Sequence, residues 1–164
     1  MRKAILALLI VAACVALAGC AKMPLREDYV YEQPAQALTA DDSAGLIYFY
    51  RESAFTGGGI SYFIFEDDTK IGLLKSGTYF VHKPTPGKHT YLAETEARAA
   101  VTLDIQAGQT YYIEGGVGMG VWAGRPQLTE VTKPVADKLL PGLKYIRLST
   151  GEEAAAIRAK DRQQ

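Results

Sequence analysis

The residues from Gly115 to Pro126, GGVGMGVWAGRP, combine five glycines with the only tryptophan of the chain. Glycine-rich turns bind phosphate when they follow a strand and open a helix, because their backbone N–H groups then point at the anion. The residues from Val121 to Pro126 do not begin a convincing helix, and no Lys-Ser or Lys-Thr pair follows them. The pattern therefore predicts a bend in a sheet rather than a phosphate-binding loop.

Trp122 and Arg125 beside this bend are the best candidates for a binding site. A tryptophan and an arginine on the rim of a domain can stack on a sugar or anchor a protein partner. The alternative is structural: Trp122 fills one end of the domain and Arg125 pairs with a carboxylate. The sequence favours the structural alternative and leaves a binding rim open.

His82 and His89, the only two histidines, flank a Pro-Gly turn and could share a metal ion across a hairpin. The sequence fixes no third ligand, so we expect cross-strand or surface histidines, without a metal ion or another cofactor. Nucleophilic catalysis needs a serine or cysteine beside a positioned base, and no G-x-S-x-G motif occurs. We therefore expect that the protein is not an enzyme. The minor alternative is a hydrolase that uses dispersed carboxylates.

The N-terminus carries the most specific signal in the chain. A positive start precedes an uncharged run from Ala4 to Ala18, and Leu17 to Cys20 reads LAGC. A positive start, an apolar run too short to span a bilayer and small residues at its end are typical of a secretory signal peptide. The LAGC stretch resembles the bacterial lipobox, which implies acylation of the Cys20 thiol and cleavage after Gly19. The stretch that ends at Cys14 is a weaker rival.

Lipidation at Cys20 would determine where the protein resides. Cleavage after Gly19 leaves 145 of the 164 residues, and loss of two cations from 18 basic and 18 acidic residues gives a formal charge of −2. This charge favours neither nucleic acid nor an anionic membrane, so the acyl chains must attach the protein to the membrane. Ala21 follows the cysteine. An aspartate at this position would resemble an inner-membrane retention signal, and the chain does not have one. We therefore expect the outer membrane, with the domain facing the periplasm.

Short strands must position the candidate residues. Runs rich in aromatic and β-branched residues recur about every ten residues between turn residues, which predicts a mostly β fold, a sandwich or barrel. One short helix is expected after Thr132, ended by Pro141, and residues 143–148 read as a final strand. The other predicted strands are Leu46–Tyr50, Ile60–Phe65, Lys70–Leu74, Thr78–His82, His89–Ala93, Ala100–Ile105, Thr110–Glu114 and Gln127–Val131.

The chain is expected to have four parts. Residues 1–19 form the signal peptide, 20–44 the lipidated N-terminus and tether, 45–148 a β-sandwich domain, and 149–164 a polar tail whose charges suit a helix. A flexible tether of this length has an end-to-end distance of roughly 27 Å, and Tyr29 and Tyr31 could pack back on the domain.

Several segments together resemble a family of bacterial envelope lipoproteins built on a domain of unknown function, DUF2846. The resemblance covers about Ala44 to Pro141, departs from the family pattern at Glu52, where members often have proline, and implies no catalytic residue. The turn before His89 is also similar to turns of prealbumin-like sandwiches, which supports a small Ig-like or prealbumin-like sandwich. The matching segments are Ile47–Arg51, Lys70–Leu74, Gly77–Phe80, Pro86–His89 and Ala107–Tyr112, followed by the glycines.

These observations lead to one main expectation about function. We expect a non-enzymatic, lipid-anchored module that binds an envelope protein or a peptidoglycan component. A domain that binds a small glycan or peptide at Trp122, and the hydrolase named above, are the alternatives.

Overall fold

The computed structural model of the protein describes residues 23–33, 35, 37–121 and 124–163. Two helices, α1 (Lys133–Ala136) and α2 (Gly151–Asp161), and two 3₁₀ turns, Arg26–Asp28 and Leu140–Gly142, accompany the strands in these residues. The strands are β1 (Tyr29–Tyr31), β2 (Leu46–Arg51), β3 (Tyr62–Glu66), β4 (Thr69–Leu74), β5 (Thr78–His82), β6 (Gly87–Glu94), β7 (Arg98–Ile105), β8 (Thr110–Gly118), β9 (Arg125–Val131) and β10 (Lys144–Leu148).

The strands form two sheets packed as a sandwich. The larger sheet has the order β1-β10-β5-β2-β8-β9, and the smaller sheet has the order β4-β3-β6-β7. Most neighbouring strands are antiparallel, but β2 runs parallel to β8 and β10 runs parallel to β5. The mostly β sandwich predicted from the spacing of the aromatic runs is confirmed, and each predicted run overlaps one of the strands from β2 to β10.

The core lies between the sheets because β2 alternates in the way that a strand requires. Ile47 and Phe49 point inward and are fully buried. The Phe49 ring stacks on Phe80 at 4.9 Å and meets the edge of Tyr91 at 5.2 Å. The opposite face of β2 is also covered, because the segment that contains α1 packs over Tyr50 through the buried Ala136. Coverage on both faces explains why this strand is apolar throughout.

The larger sheet has two ends that differ in what they carry. The His82 end is where β5 ends and β2 and β8 begin, because Leu46 pairs with Thr110 and Ile47 with His82. The rim end is where β2 and β8 end and β9 begins, with Gly118 opposite Arg125.

The chain joins the sandwich at the His82 end through β1. Tyr29 pairs with Leu148 at the edge of the larger sheet and is buried. Folded structure therefore begins inside the segment for which the sequence predicts a tether, because Tyr29 finds a buried place beside β10. The polar tail forms α2, whose first turn is closed by a capping box between Thr150 and Glu153.

Candidate functional site

The rim end is the part of the sandwich where large apolar side chains face solvent. We define the rim as the loop from 52 to 61, which follows β2, together with the turn between β8 and β9. Phe55 is 104% exposed, Met119 96% and Val121 74%. These three belong to the seven large hydrophobic residues that are exposed in the described part of the chain. The two loops border an open cleft of about 270 Å³, whose lining includes Ile60, Val117 and Met119.

A buried arginine fixes the first loop of the rim. Arg51, only 3% exposed, donates hydrogen bonds to the carbonyl oxygens of Ile60 at 2.6 Å and Gly57 at 2.7 Å. Its guanidinium also lies 5.9 Å from the centre of the Tyr62 ring. No carboxylate among the described residues forms a salt bridge with Arg51. Burial lowers the pKa of Arg51 from its ordinary value, so the two carbonyl oxygens must compensate for the water that the guanidinium loses.

The glycine-rich stretch is divided between the end of a strand and the turn that follows it. We expected a bend, but β8 continues through Gly115 and Gly116 to Gly118, and the chain reverses only beyond it. A side chain at Gly115 would place its Cβ 2.5 Å from Leu74 Cδ1 and 2.7 Å from the Tyr62 hydroxyl. The glycine is needed there because the smaller sheet approaches the strand closely.

The second loop of the rim is fastened to the turn between β6 and β7. The Val121 N–H donates to Glu96 Oε1 at 2.8 Å, and the Thr95 hydroxyl donates to the Gly124 carbonyl at 2.7 Å. Arg125 Nε lies 3.8 Å from the same Glu96 carboxylate, while its side chain is 62% exposed. The predicted carboxylate partner of Arg125 is therefore present. Trp122 lies outside the described residues.

The two histidines meet one carboxylate at the His82 end. His82 Nε2 lies 2.9 Å from Glu66 Oε2, and His89 Nδ1 lies 2.6 Å from Glu66 Oε1. His89 Nε2 faces the Thr85 carbonyl at 2.9 Å, so both of its ring nitrogens face oxygen atoms. Burial lowers the pKa of His82, while the Glu66 carboxylate acts in the opposite direction.

The histidine cluster joins the sheets, because His82 belongs to β5 of the larger sheet whereas Glu66 and His89 belong to the smaller one. It borders an open cleft of about 440 Å³. Within the described ranges, no group of three or more His, Cys, Asp or Glu side chains could hold a metal ion. The sequence allowed the two histidines to meet across a hairpin, but β5 and β6 belong to different sheets, and the Glu66 carboxylate links the two side chains instead.

A row of tyrosines crosses the outer face of the larger sheet. The ring centroids of Tyr48 and Tyr112 are 5.5 Å apart and those of Tyr48 and Tyr79 are 6.3 Å apart, with the rings stacked in both pairs. Both faces of the Tyr48 ring are therefore covered, so a sugar ring cannot stack on it. The three tyrosines line an open cleft of about 410 Å³, which Lys133 and Asp137 also border. Lys133 and Asp137 pair with each other at 2.7 Å.

The candidate lipidation site cannot be placed on this geometry. Cys20 and the cleavage position after Gly19 lie outside the described residues. In the described part of the chain, no helix is long and apolar enough to cross a membrane.

Sequence reasoning missed the most buried polar group of the rim and the carboxylate between the histidines. Arg51 follows the apolar residues YFY at the end of β2. An arginine at such a position indicates a buried cation only when the groups that bind it are already known. Glu66 stands 16 residues from His82, so no local spacing connects them.

Comparison with known proteins adds one finding to this geometry. The model of the family described as "Protein of unknown function (DUF2846)" matches residues 41–124, which extend from the segment before β2 to the turn before β9. No curated protein and no solved structure matches the chain. The matched residues are about half of the chain and include both loops of the rim and the histidine cluster. The chain therefore belongs to the DUF2846 family of proteins of unknown function.

Proposed function

We propose that this protein is a non-enzymatic lipoprotein of the bacterial cell envelope, anchored through lipid on Cys20, which binds an envelope protein through its rim. The exposure of Phe55, Met119 and Val121 at one end of the sandwich is the observation that carries the binding role. The LAGC stretch that ends at Cys20 supports the anchor, and Ala21, in place of an aspartate after the cysteine, supports the outer-membrane location facing the periplasm.

Apolar side chains grouped on neighbouring loops indicate an interaction surface. Single exposed apolar residues are common on protein surfaces, but Phe55 and Met119 lie on two loops that border one cleft. A phenylalanine and a methionine at such a place can fill pockets of a protein partner, whereas glycan binding depends on polar groups that hydrogen-bond hydroxyls. The composition of the rim therefore favours a protein partner over a peptidoglycan strand.

The rim is also held in shape before any partner arrives. Arg51 fixes the first loop through two carbonyl oxygens, and Glu96 with Thr95 fixes the second. Loops that are already ordered lose less conformational entropy when they bind. A fixed apolar rim is therefore suited to a specific partner.

The position of the rim relative to the start of the folded chain favours a partner other than the bilayer. The β8–β9 hairpin and β1 lie near opposite edges of the larger sheet, about 19 Å apart at the usual strand spacing. Along the strands, the eight steps from Thr110 to Gly118 separate the two ends by about 26 Å. A lipid that precedes β1 would therefore place the rim on the side of the domain away from the membrane.

The hydrolase alternative has its best candidates in Glu66 and Asp67, which border one cleft. Both oxygens of Glu66 are engaged by imidazole nitrogens. A glycosidase pair needs one carboxyl group that holds a proton and another that attacks or activates water. The engaged Glu66 does not suit either role, and we do not propose hydrolysis.

Crosslinking in intact cells tests the proposal. A photoreactive amino acid at Gly59 is tolerated, because a side chain there would meet no atom within 4 Å. Gly151 offers the same open space at the far end of the molecule and is the matched control. We expect a defined protein adduct from position 59, none from 151, and loss of the adduct when Phe55→Ser and Met119→Ser are combined.

The anchor is tested in the same cells. Metabolic labelling with a fatty acid should mark the wild-type protein, and Cys20→Ser should abolish both the label and membrane association. Identical adducts from positions 59 and 151 would contradict the rim as the binding surface, and an unlabelled wild-type protein would contradict the anchor.

A further inference from the structure

The first described residues carry a second group of exposed apolar side chains. Met23 is 51% exposed and Leu25 is 50% exposed, directly before the 3₁₀ turn Arg26–Asp28. If Cys20 carries lipid, as proposed above, the Cα atom of Met23 lies within about 11 Å of the acylated residue, because each residue spans at most about 3.6 Å. These side chains are therefore constrained to lie close to the acyl chains.

The segment after Leu25 is fastened to the domain and is not a free tether. The Ser149 N–H donates to the Asp28 carbonyl at 3.0 Å, and Arg158 of α2 pairs with Glu27 at 3.0 Å. Contact with the C-terminal helix therefore fixes the direction in which Met23 and Leu25 leave the sandwich.

The charges beside these residues do not oppose contact with lipid. Glu27 is engaged by Arg158, and Asp28 accepts the Leu25 N–H at 2.7 Å. Arg158 therefore neutralises Glu27, and the Arg26 cation of the same turn balances the Asp28 carboxylate, so the turn and its partner carry no net charge that would repel an anionic surface.

We propose that Met23 and Leu25 enter the interfacial layer of the membrane beside the acyl chains of Cys20, so that the His82 end rests against the lipid surface. This inference depends on the proposed lipidation. Apolar side chains bury readily at the boundary between headgroups and acyl chains, and the nearby lipid holds them at a high effective concentration there. The domain then has one orientation on the membrane, set by the contact between α2 and the turn at Arg26–Asp28.

Quenching from within the lipid tests this contact. The full acylated protein is placed in vesicles of phosphatidylethanolamine and phosphatidylglycerol, some with bromine on the acyl chains. The variants Met23→Cys, Leu25→Cys and, as control, Met119→Cys each carry an environment-sensitive fluorophore on the new thiol. All three positions are exposed, so the label does not disturb the core. We expect at least threefold stronger quenching at 23 and 25 than at 119.

The possible failures of the two proposals differ in the same experiment. Vesicle-bound protein with equal, weak quenching at 23 and 119 would overturn the membrane contact and leave the lipid anchor standing. A blue-shifted but unquenched probe at 23 would also overturn it, since a second protein copy would then cover the site. Acylated protein is confirmed by mass; its absence would overturn the anchor and, with it, this inference.

Discussion

The rim end and the His82 end of the sandwich both expose apolar side chains beyond ordered strands, yet they are built differently. At the rim end the apolar residues lie on loops held by Arg51 and Glu96. At the His82 end they precede β1, and two histidines of the same end meet Glu66 across the two sheets. The apolar character is therefore alike, and position along the chain distinguishes the expected partner: a protein for the rim and lipid for the residues next to Cys20.

The polar groups near the two ends differ in their charge and in the groups that bind them. The Arg51 cation is buried with carbonyl oxygens as partners, whereas Glu66 is shared between two imidazoles, and burial lowers the pKa of one of them, His82. Stability should therefore depend on side-chain removal at the rim end and on pH at the His82 end. The predictions below test this contrast.

Replacement of the buried arginine should have the largest effect. Arg51→Ala removes two charge-assisted hydrogen bonds, leaves the Ile60 carbonyl without its donor and the Gly57 carbonyl with only the Ile60 N–H, and opens a cavity, at a cost of about 3 kcal/mol in the free energy of unfolding. Urea unfolding of the soluble domain measures the loss. Arg98→Ala is the control, because Arg98 is an exposed arginine paired with Glu94, and it should change stability by less than about 0.5 kcal/mol. Equal effects of the two substitutions would show that Arg51 does not hold the rim.

A methyl group at Gly115 should have the next largest effect. The added Cβ would lie 2.5 Å from Leu74 Cδ1, and Leu74 and Tyr62 are buried too deeply to move aside. The Tyr62 hydroxyl would also be displaced from the Gly116 carbonyl, to which it donates at 3.0 Å. Overpacking of this kind costs about 2 kcal/mol, measurable as a lower urea midpoint for Gly115→Ala. Gly59→Ala, which meets no neighbour, should leave the midpoint within error.

His82→Leu should change how stability depends on pH. The folded state lowers the pKa of His82, so the unfolded chain binds a proton at His82 more readily than the folded protein does. The stability that neutral His82 contributes is therefore present above the pKa of the unfolded chain. That stability is lost as the pH falls below this pKa. The hydrogen bond of His82 to Glu66 is worth about 1 kcal/mol, so the variant should be less stable at pH 8, by about that amount, and the difference should shrink towards pH 5. The groups around His82 remain in both proteins, so thermal unfolding across this range reports the loss of the His82 imidazole together with its interaction with His89; these groups are Glu66, Asp67, Lys83, His89 and Tyr91. A difference that widens at low pH would mean that attraction to Glu66 outweighs burial.

The sequence predicts the strands of this fold well. Apolar runs such as β2, which is covered on both faces, and the turn residues between the runs form a clear pattern. The sequence does not place His82 and His89 in different sheets, because the turn residues between them could equally close a hairpin. It fails at Gly115, since only the approach of Leu74 from the other sheet distinguishes a close contact from a bend. Likewise, it does not connect Arg51 with Ile60 or Glu66 with His82, because those contacts depend on how the sheets are stacked rather than on local spacing.

Substitution of the rim residues should have the smallest effect on stability and thereby separate binding from folding. Phe55 and Met119 contact solvent in the isolated domain, so Phe55→Ser combined with Met119→Ser should shift the free energy of unfolding by less than about 0.5 kcal/mol. The same pair of substitutions should abolish crosslinking from position 59, because in the wild-type protein the Phe55 and Met119 side chains fill pockets of the proposed partner. Met23→Ser combined with Leu25→Ser is the matched change at the other end, equally mild for stability, and should leave that crosslink intact. A double rim variant that unfolds at a much lower urea concentration would show that Phe55 and Met119 pack within the domain, and the comparison between the two ends would then lose its basis.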